Sequence, residues 1–210
     1  MSPPDLRLIV ITDRALAAPR SIEDIVRECL GAGAPAIQLR DKHASAAELL
    51  EQATRLRELT AAHGALLFIN DRLDVARAAG ADGVHFGPDD LQVRAARAVV
   101  PSDFMIGYST DRPELARANE LDGATYIGCG AVYGTASKAG LAAEKIGPAG
   151  LRGVVRAVGI PVIAIGGITP ENVHEVAAAG AAGCAAISAI MAAPAPGQIV
   201  RRLLDAFTSS

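Results

Sequence analysis

The sequence predicts an α/β protein whose 210 residues form a single domain, a closed (β/α)8 TIM barrel. Short apolar segments recur along the chain, and most are continuously apolar, as in parallel strands that are covered on both faces. Helix-start and helix-end signals lie between these segments. No linker or change of composition divides residues 1–210 into separate domains.

Eight predicted strands, each with room for a following helix, are the main reason for expecting a barrel. A weak internal repeat supports this unit, because residues 79–86 resemble residues 179–186 and residues 121–127 are a looser copy. An open doubly wound sheet is the alternative, and the number of βα units favours the closed barrel over it. The strands are expected at Leu8–Ile11, Ala36–Leu39, Leu66–Ile69, Gly83–Phe86, Phe104–Tyr108, Thr125–Ile127, Val162–Ile165 and Cys184–Ile187.

The helices between the strands are predicted from their termini. Ser21 and Ser45 each begin a capping-box pattern, the second with Glu48 at its third helical position. Pro113 and Pro170 are expected in the first turns of two later helices. Left-handed glycines are expected to end the helices at Gly33, Gly64, Gly80, Gly123, Gly159 and Gly180.

Charge and composition exclude several classes of function. Lys and Arg number 20 against 23 Asp and Glu, a net charge of −3, whereas a nucleic-acid-binding module is normally basic. Aromatic residues are 3% of the chain, too few for a surface on which bases stack. Apolar residues are 50%, which excludes a disordered chain. The sequence thus predicts no nucleic-acid partner.

The sequence also predicts a cytoplasmic protein without a membrane span. The three cysteines form no CxxC pair, so neither a disulfide framework nor a zinc site is expected. The first residues lack a secretory signal. Val176–Val200 contains no charged residue, but its small residues and two prolines indicate a helix end, a strand and a turn. A homo-oligomer is left open.

In a (β/α)8 barrel the functional side chains follow the carboxyl ends of the strands. Gln38 and Arg40 follow strand 2 and have the same parity, so both are expected to point to the barrel mouth. The other candidates at strand ends are Lys42, Asn70, Asp71, Asp90, Ser109, Thr135, Ser137, Lys138, Gly166, Gly167, Ile187 and Ser188.

Some of these residues also have a purely structural interpretation. Asp71 and Asp90 each precede a helix and could be N-caps, although two carboxylates on adjacent strands also suit Mg²⁺ shared with a substrate phosphate. Ser188 could be an N-cap, and Gly166-Gly167 could be a tight turn. Together, Ser188 and the Gly166-Gly167 turn offer backbone N–H groups that could bind a phosphate monoester.

The remaining candidates complete a mouth with two phosphate-type sites. Arg40 on a strand needs an anionic partner, and Lys138 lies in a stretch rich in Gly, Ala and Ser that indicates a lid. Cys129 has no evident activating base, and His85 is interpreted as strand packing. This set predicts an enzyme that joins a diphosphate electrophile to a phosphorylated nucleophile.

From about Leu8 to Ala206 the sequence resembles the thiamine phosphate synthase family. The Gly-Gly-Ile element alone is common among phosphate-binding barrels, whereas the ordered set of motifs is specific. The motifs are Gln38-x-Arg40-x-Lys42, Ile69-Asn70-Asp71, Val84-His-Phe-Gly87-x-x-Asp90, Gly107-Tyr-Ser109, Gly128-x-Gly-x-Val-Tyr-x-Thr135-x-Ser137-Lys138, Ala164-Ile-Gly-Gly-Ile168 and Ile187-Ser188.

The resemblance implies a role for each matching residue. Asp71 and Asp90 would bind Mg²⁺, and Gln38 would contact the pyrimidine of hydroxymethylpyrimidine diphosphate. The family ionises that substrate to a carbocation-like species, which the thiazole nitrogen attacks. The diphosphate would be held by Arg40, Lys42, Asn70, Ser109 and Lys138, and thiazole phosphate by Thr135, Ser137, Gly167, Ile187 and Ser188.

The sequence departs from the family pattern at several positions. Pro88 replaces a usual Gln, and Ser137 replaces a Thr but keeps the hydroxyl. Ala131 and Gly134 replace usual prolines. Asp111 stands where a His is common, and tautomerases of this barrel type use a titrating group there.

Other functions therefore remain as alternatives. A thiazole tautomerase-like relative would bind thiazole phosphate without needing the Asn-Asp and second Asp set. An isomerase-type phosphosugar barrel and a non-catalytic phosphate-ligand-binding barrel are the others.

Overall fold

The computed structural model describes residues 3–134 and 145–208. Its strands form a closed barrel in which each strand pairs in parallel with the next and the last pairs with the first. The predicted TIM barrel is confirmed, and the open doubly wound sheet is excluded. The strands are β1 (Leu8–Ile11), β2 (Ala36–Leu39), β3 (Leu66–Asn70), β4 (Gly83–Phe86), β5 (Met105–Ser109), β6 (Tyr126–Cys129), β7 (Val162–Ile165) and β8 (Gly183–Ala186).

Helices connect the strands and cover the outside of the barrel. Extra short helices lie beside the first and last strands. The helices are α1 (Arg14–Ala17), α2 (Ile22–Gly31), α3 (Ala46–Ala62), α4 (Leu73–Ala78), α5 (Val93–Arg97), α6 (Pro113–Leu121), α7 (Gly147–Ala157), α8 (Val173–Ala178), α9 (Ser188–Met191) and α10 (Pro196–Thr208).

The apolar residues form two separate layers because alternate strand residues face opposite sides of the sheet. One layer lies between the strands and the helices. The other fills the barrel interior and includes Ile9, Phe68, Met105 and Tyr126. The side chains that follow this inner set toward the strand ends lie at the mouth.

Most of the predicted helix termini are confirmed. Ser45 and Glu48 form a reciprocal capping box, the Ser21 hydroxyl accepts from the Asp24 amide, and Pro113 begins α6. The prediction for Pro170 is wrong, because residues 169–172 form a turn closed by the Asn172 side chain and α8 begins afterwards. All the predicted helix-ending glycines except Gly159 have a positive φ. α7 ends instead at Val158 in an extended conformation, so a left-handed residue is not needed there.

Within residues 3–134 and 145–208, no helix is both long enough and apolar enough to cross a membrane. The uncharged segment 176–200 contains the end of α8, then β8, α9 and the start of α10, which confirms its division into short elements.

A substitution at Gly183 tests how tightly β8 is packed. An added Cβ would lie 1.9 Å from the Leu6 carbonyl oxygen, so Gly183→Ala is expected to lower the free energy of unfolding by about 3 kcal/mol. Gly31→Ala is the matched control, because nothing lies within 4 Å of its added Cβ and it ends helix α2. Urea unfolding measures both. A loss at Gly31 as large as that at Gly183 would contradict this account.

Candidate active site

The barrel mouth brings each of two cationic side chains close to an acidic one. Lys42 Nζ lies 3.8 Å from Asp71 Oδ2, with the Lys42 side chain more than half exposed. Arg40 Nη1 lies 3.9 Å from Asp13 Oδ2, and both of those side chains are largely buried. Gln38 is buried, as expected for a side chain of the inward parity. The structure therefore places Gln38, Arg40, Lys42 and Asp71 on one side of the mouth.

Backbone and side-chain hydrogen bonds hold Arg40 in place. The buried Thr12 hydroxyl accepts from the Arg40 amide at 2.9 Å and donates to the Arg40 carbonyl at 3.3 Å. The link joins the chain after β1 to the chain after β2. The guanidinium is thus presented from a fixed backbone rather than from a loose loop.

Asp71 has an unusual backbone conformation. Its φ is 63°, in the left-handed region that residues other than glycine rarely adopt. Its amide donates to the His85 carbonyl at 2.9 Å, so the residue following β3 stays attached to β4. Such conformations cost free energy and cluster at functional sites. The turn directs the Asp71 carboxylate toward Lys42.

Neither Asp71 nor Asp90 caps a helix, so the capping interpretation is wrong for both. The N-cap of α4 is Arg72 and that of α5 is Gln92, and neither makes a side-chain cap hydrogen bond. Asp90 Oδ2 instead accepts from the Gly87 amide at 2.7 Å. Both turns therefore aim a carboxylate at the mouth.

The two carboxylates interact directly with each other. Burial, a hydrogen bond with Asp90 and the Asp90 charge raise the pKa of Asp71 to about 6, while Lys42 and Arg40 act in the opposite direction. Two neighbouring carboxylates offer the hard oxygen ligands that Mg²⁺ prefers. Within the described ranges, no group of three or more His, Cys, Asp or Glu could hold a metal. The pair fits a cation that also binds water and ligand oxygens.

A cavity of about 380 Å³ lies on the other side of the mouth, at the ends of β5 to β8. Ser109, Gly167, Ile187 and Ser188 all line it, so the structure brings these predicted residues together. Ser188 is the first residue of α9 and not its N-cap, which is Ile187, so the capping interpretation is wrong here too. The volume is in the range of small-molecule sites.

The glycines after β7 have conformations that larger residues would disturb. Gly166 and Gly167 have φ values of 97° and 68°. A Cβ on Gly166 would lie 2.6 Å from that of Ala131, and one on Gly167 would lie 2.8 Å from the Gly134 carbonyl oxygen. The turn therefore packs against residues 131–134 and presents its backbone to the cavity.

Several residues at the site had no functional role in the sequence interpretation. His85 packs within the barrel, as expected, but it also hydrogen bonds to Ser109 and Tyr126. Glycines at 107 and 128 on the neighbouring strands were an available signal, since they leave room for large side chains. Other lining residues include Tyr108 and Arg112, together with Pro88, Asp111 and Ala131 from the positions that depart from the family pattern.

Cys129 is not an activated nucleophile. Its side chain is buried, and burial together with the Asp111 charge raises the pKa of the thiol to about 12. A thiol with so high a pKa stays protonated near neutral pH.

Thr135, Ser137 and Lys138 lie outside the described residues. Their roles rest on the sequence resemblance alone.

Comparison with known proteins identifies the family. The family described as thiamine monophosphate synthase matches residues 8–190. The chain belongs to this family. The thiamine-phosphate synthase of Natronomonas pharaonis is 44% identical over 96% of this chain and 95% of its own length. The enzyme of Methanospirillum hungatei is 46% identical over 96% and 97%.

A solved structure agrees with this assignment. Thiamine phosphate pyrophosphorylase from Pyrococcus furiosus is 41% identical, with a TM-score of 0.90 over 98% of this chain and 97% of its own. Members of the thiamine monophosphate synthase family are transferases acting on small molecules, and the chain is an enzyme of that class.

Removing the charge of Asp71 is expected to stabilise the metal-free protein. Because the folded-state pKa is raised, charging Asp71 costs stability as pH rises from about 4 to about 6, and the cost persists above that. Asp71→Asn keeps a residue that tolerates a positive φ. The variant should gain about 1 kcal/mol at pH 8 and much less at pH 4.5.

Urea unfolding in EDTA across this pH range measures the difference. Asp89→Asn, at an exposed neighbouring position, is the control. A gain that shrinks as the pH rises would contradict the proposed repulsion.

Proposed function

We propose that this enzyme joins hydroxymethylpyrimidine diphosphate to thiazole phosphate, giving thiamine monophosphate and pyrophosphate. The supporting observation is that one barrel mouth has an acidic pair beside Arg40 and Lys42 and, next to it, a glycine-lined cavity. Two adjacent anion sites of different character suit two phosphorylated substrates.

The diphosphate belongs on the cationic side. Arg40 and Lys42 supply positive charge there, and Asn70 at the end of β3 and Ser109 at the end of β5 supply neutral hydrogen bonds. Family resemblance adds Lys138 to this set. Fixed donors and charges of this kind stabilise a departing pyrophosphate.

Asp71 and Asp90 are proposed to hold Mg²⁺ together with the diphosphate. The Asp90 charge and a hydrogen bond with Asp90 raise the pKa of Asp71, and a divalent cation between the two carboxylates would relieve that repulsion while binding further oxygens. When bound, Mg²⁺ would supply charge neutralisation for the leaving group.

Thiazole phosphate belongs in the cavity beside Ser109. Gly167, Ile187 and Ser188 line that cavity, and family resemblance adds Thr135 and Ser137. Gln38, buried in the barrel below the mouth, is proposed to contact the pyrimidine. In this proposed arrangement the two rings would bind next to each other, which would lower the entropic cost of their meeting.

The reaction needs no general base from the protein. The bond from the pyrimidine methylene carbon to the diphosphate oxygen breaks, and its electron pair leaves with pyrophosphate. The thiazole nitrogen then donates its lone pair to the same carbon. The protein residues therefore orient the substrates, exclude water from the pyrimidine carbocation and stabilise the leaving pyrophosphate.

Supplying both substrates to the purified protein tests the proposal. Thiamine monophosphate should form with Mg²⁺ and not in EDTA. Asp71→Ala and Asp90→Ala should each lower kcat/KM at least about tenfold, roughly 1.4 kcal/mol of transition-state stabilisation. Asp89→Ala is the matched control, because Asp89 is exposed beside Asp90. Full activity in EDTA would refute the metal assignment.

The thiazole tautomerase alternative predicts a different result. Asp111 lines the cavity. The family resemblance places a His at this position in the tautomerases. Carboxythiazole phosphate tautomers, supplied alone and with the pyrimidine diphosphate, should give coupled product and only background tautomer exchange by mass spectrometry. Rapid exchange without coupled product would assign the chain to tautomerase chemistry.

We also propose a cytoplasmic protein with no nucleic-acid or membrane partner. Cys29, Cys129 and Cys184 are unpaired and buried, which suits a reducing compartment.

A further inference from the structure

Two large polar side chains meet inside the barrel beneath Ser109. Tyr126 Oη lies 2.9 Å from His85 Nδ1, and His85 Nε2 lies 2.7 Å from Ser109 Oγ. Tyr126 is 1% exposed and His85 is 9% exposed. The chain of hydrogen bonds therefore runs from the closed interior to a hydroxyl that lines the cavity.

The neighbouring strands make room for this pair. A Cβ on Gly107 would lie 2.1 Å from Tyr126 Cζ and 2.5 Å from His85 Nδ1. A Cβ on Gly128 would lie 3.0 Å from His85 Cε1. Phe68 supports the other side of the Tyr126 ring in an edge-on contact at 5.4 Å. The two rings therefore have little freedom to reorient.

The chemistry of the partners gives these hydrogen bonds a direction. A phenol is a better donor than acceptor, so donation from Tyr126 to an unprotonated His85 Nδ1 is favoured over the reverse direction. Burial raises the pKa of the Tyr126 hydroxyl, and a hydrogen bond with the Gln38 amide opposes part of that rise. An amide N–H of Gln38 that donates to the phenol oxygen would leave the phenol proton for His85 Nδ1.

We propose that Tyr126 and His85 are positioning residues that hold the His85 proton on Nε2 and so turn the Ser109 hydroxyl proton outward as a donor. With Nδ1 occupied by the Tyr126 proton, the neutral ring has its own proton on Nε2. That proton is donated to Ser109 Oγ. The Ser109 hydroxyl must then donate away from His85, into the mouth.

This inference rests on the proposed function for its consequence. An outward hydroxyl proton matches the acceptor oxygens of a diphosphate, and a hydroxyl already oriented needs no reorganisation as negative charge develops. If the hydrogen bonds ran the other way, Ser109 would donate to His85 and would face the diphosphate with lone pairs. The direction of the relay thus decides whether Ser109 attracts or repels the anion.

The tautomer can be measured without any substrate. The chain has four histidines, so selective ¹⁵N labelling gives a simple spectrum, and His85→Gln identifies the His85 signals. We expect a protonated Nε2 and an unprotonated, hydrogen-bonded Nδ1. Tyr126→Phe, which keeps the ring packed on Phe68, should convert His85 to a mixture of tautomers.

Binding of inorganic pyrophosphate with Mg²⁺ measures the effect on Ser109. Tyr126→Phe should weaken binding about fivefold and lower kcat about tenfold, with KM for thiazole phosphate changed less than about twofold. Thr125→Val is the matched control, because its hydroxyl bonds to the Ile106 backbone and not to the relay. That variant should lose stability but keep the His85 spectrum and pyrophosphate affinity.

A second pair of variants covers the case in which Tyr126→Phe does not fold. In His85→Gln, the side-chain amide N–H reaches about as far as the imidazole Nε2 and can donate to Ser109. In His85→Asn, the side chain is one methylene shorter and its N–H does not reach Ser109. Pyrophosphate should bind at least about fivefold more tightly to His85→Gln than to His85→Asn.

The outcomes separate this inference from the proposed function. A wild-type spectrum with the proton on Nδ1, or with both nitrogens protonated, would overturn the relay whatever reaction the enzyme catalyses. So would equal pyrophosphate affinity of wild type and Tyr126→Phe, or of the two His85 variants. Failure to make thiamine monophosphate, with the expected spectrum and affinities, would refute the function and leave the relay in place.

Discussion

Closure of the parallel sheet is the constraint on which the other features depend. Because every strand runs in the same direction, all the carboxyl ends meet at one mouth, and residues distant in sequence become neighbours. The register pairs Asn70 with His85 and Ser109 with Gly128, so each polar side chain has a defined height in the barrel. A closed sheet has no free edge, so one strand cannot shift in register without moving its neighbours.

The acidic side of the mouth is maintained against its own electrostatics. Asp71 combines a left-handed backbone with a carboxylate close to a second carboxylate, and both features cost stability in the absence of a cation. Lys42 and Arg40 reduce that cost without removing it. A site that is repulsive when empty gains more from a bound cation than a neutral site would, which is a general way of storing binding energy.

The sequence predicted the strands closely because continuous apolar segments between helix signals have few other stable arrangements. Gln38, Arg40 and Asp71 were candidates because polar residues at the ends of buried strands are unusual, and the structure places them on one side of the mouth. The hydrogen bonds between His85, Tyr126 and Ser109 were not predicted, since His85 and Tyr126 look like ordinary strand residues until the register places them on either side of Gly107. Pro170 and Ser188 show a different limit, because the turns before α8 and α9 depend on side-chain hydrogen bonds and packing that no local pattern contains.

The space left by the missing side chains of Gly107 and Gly128 also restricts how the residues of the barrel interior can change in evolution. A larger residue at Gly107 alone would overlap Tyr126, and a smaller residue at Tyr126 alone would leave a void and remove the hydrogen bond from Tyr126 Oη to His85. Each of these two substitutions is therefore destabilising by itself, although the two together can restore the packing. Proteins of this fold should therefore change residues 107 and 126 together or hardly at all. The order of the mutations, and not only their chemistry, then decides which side-chain combinations can evolve in the barrel interior.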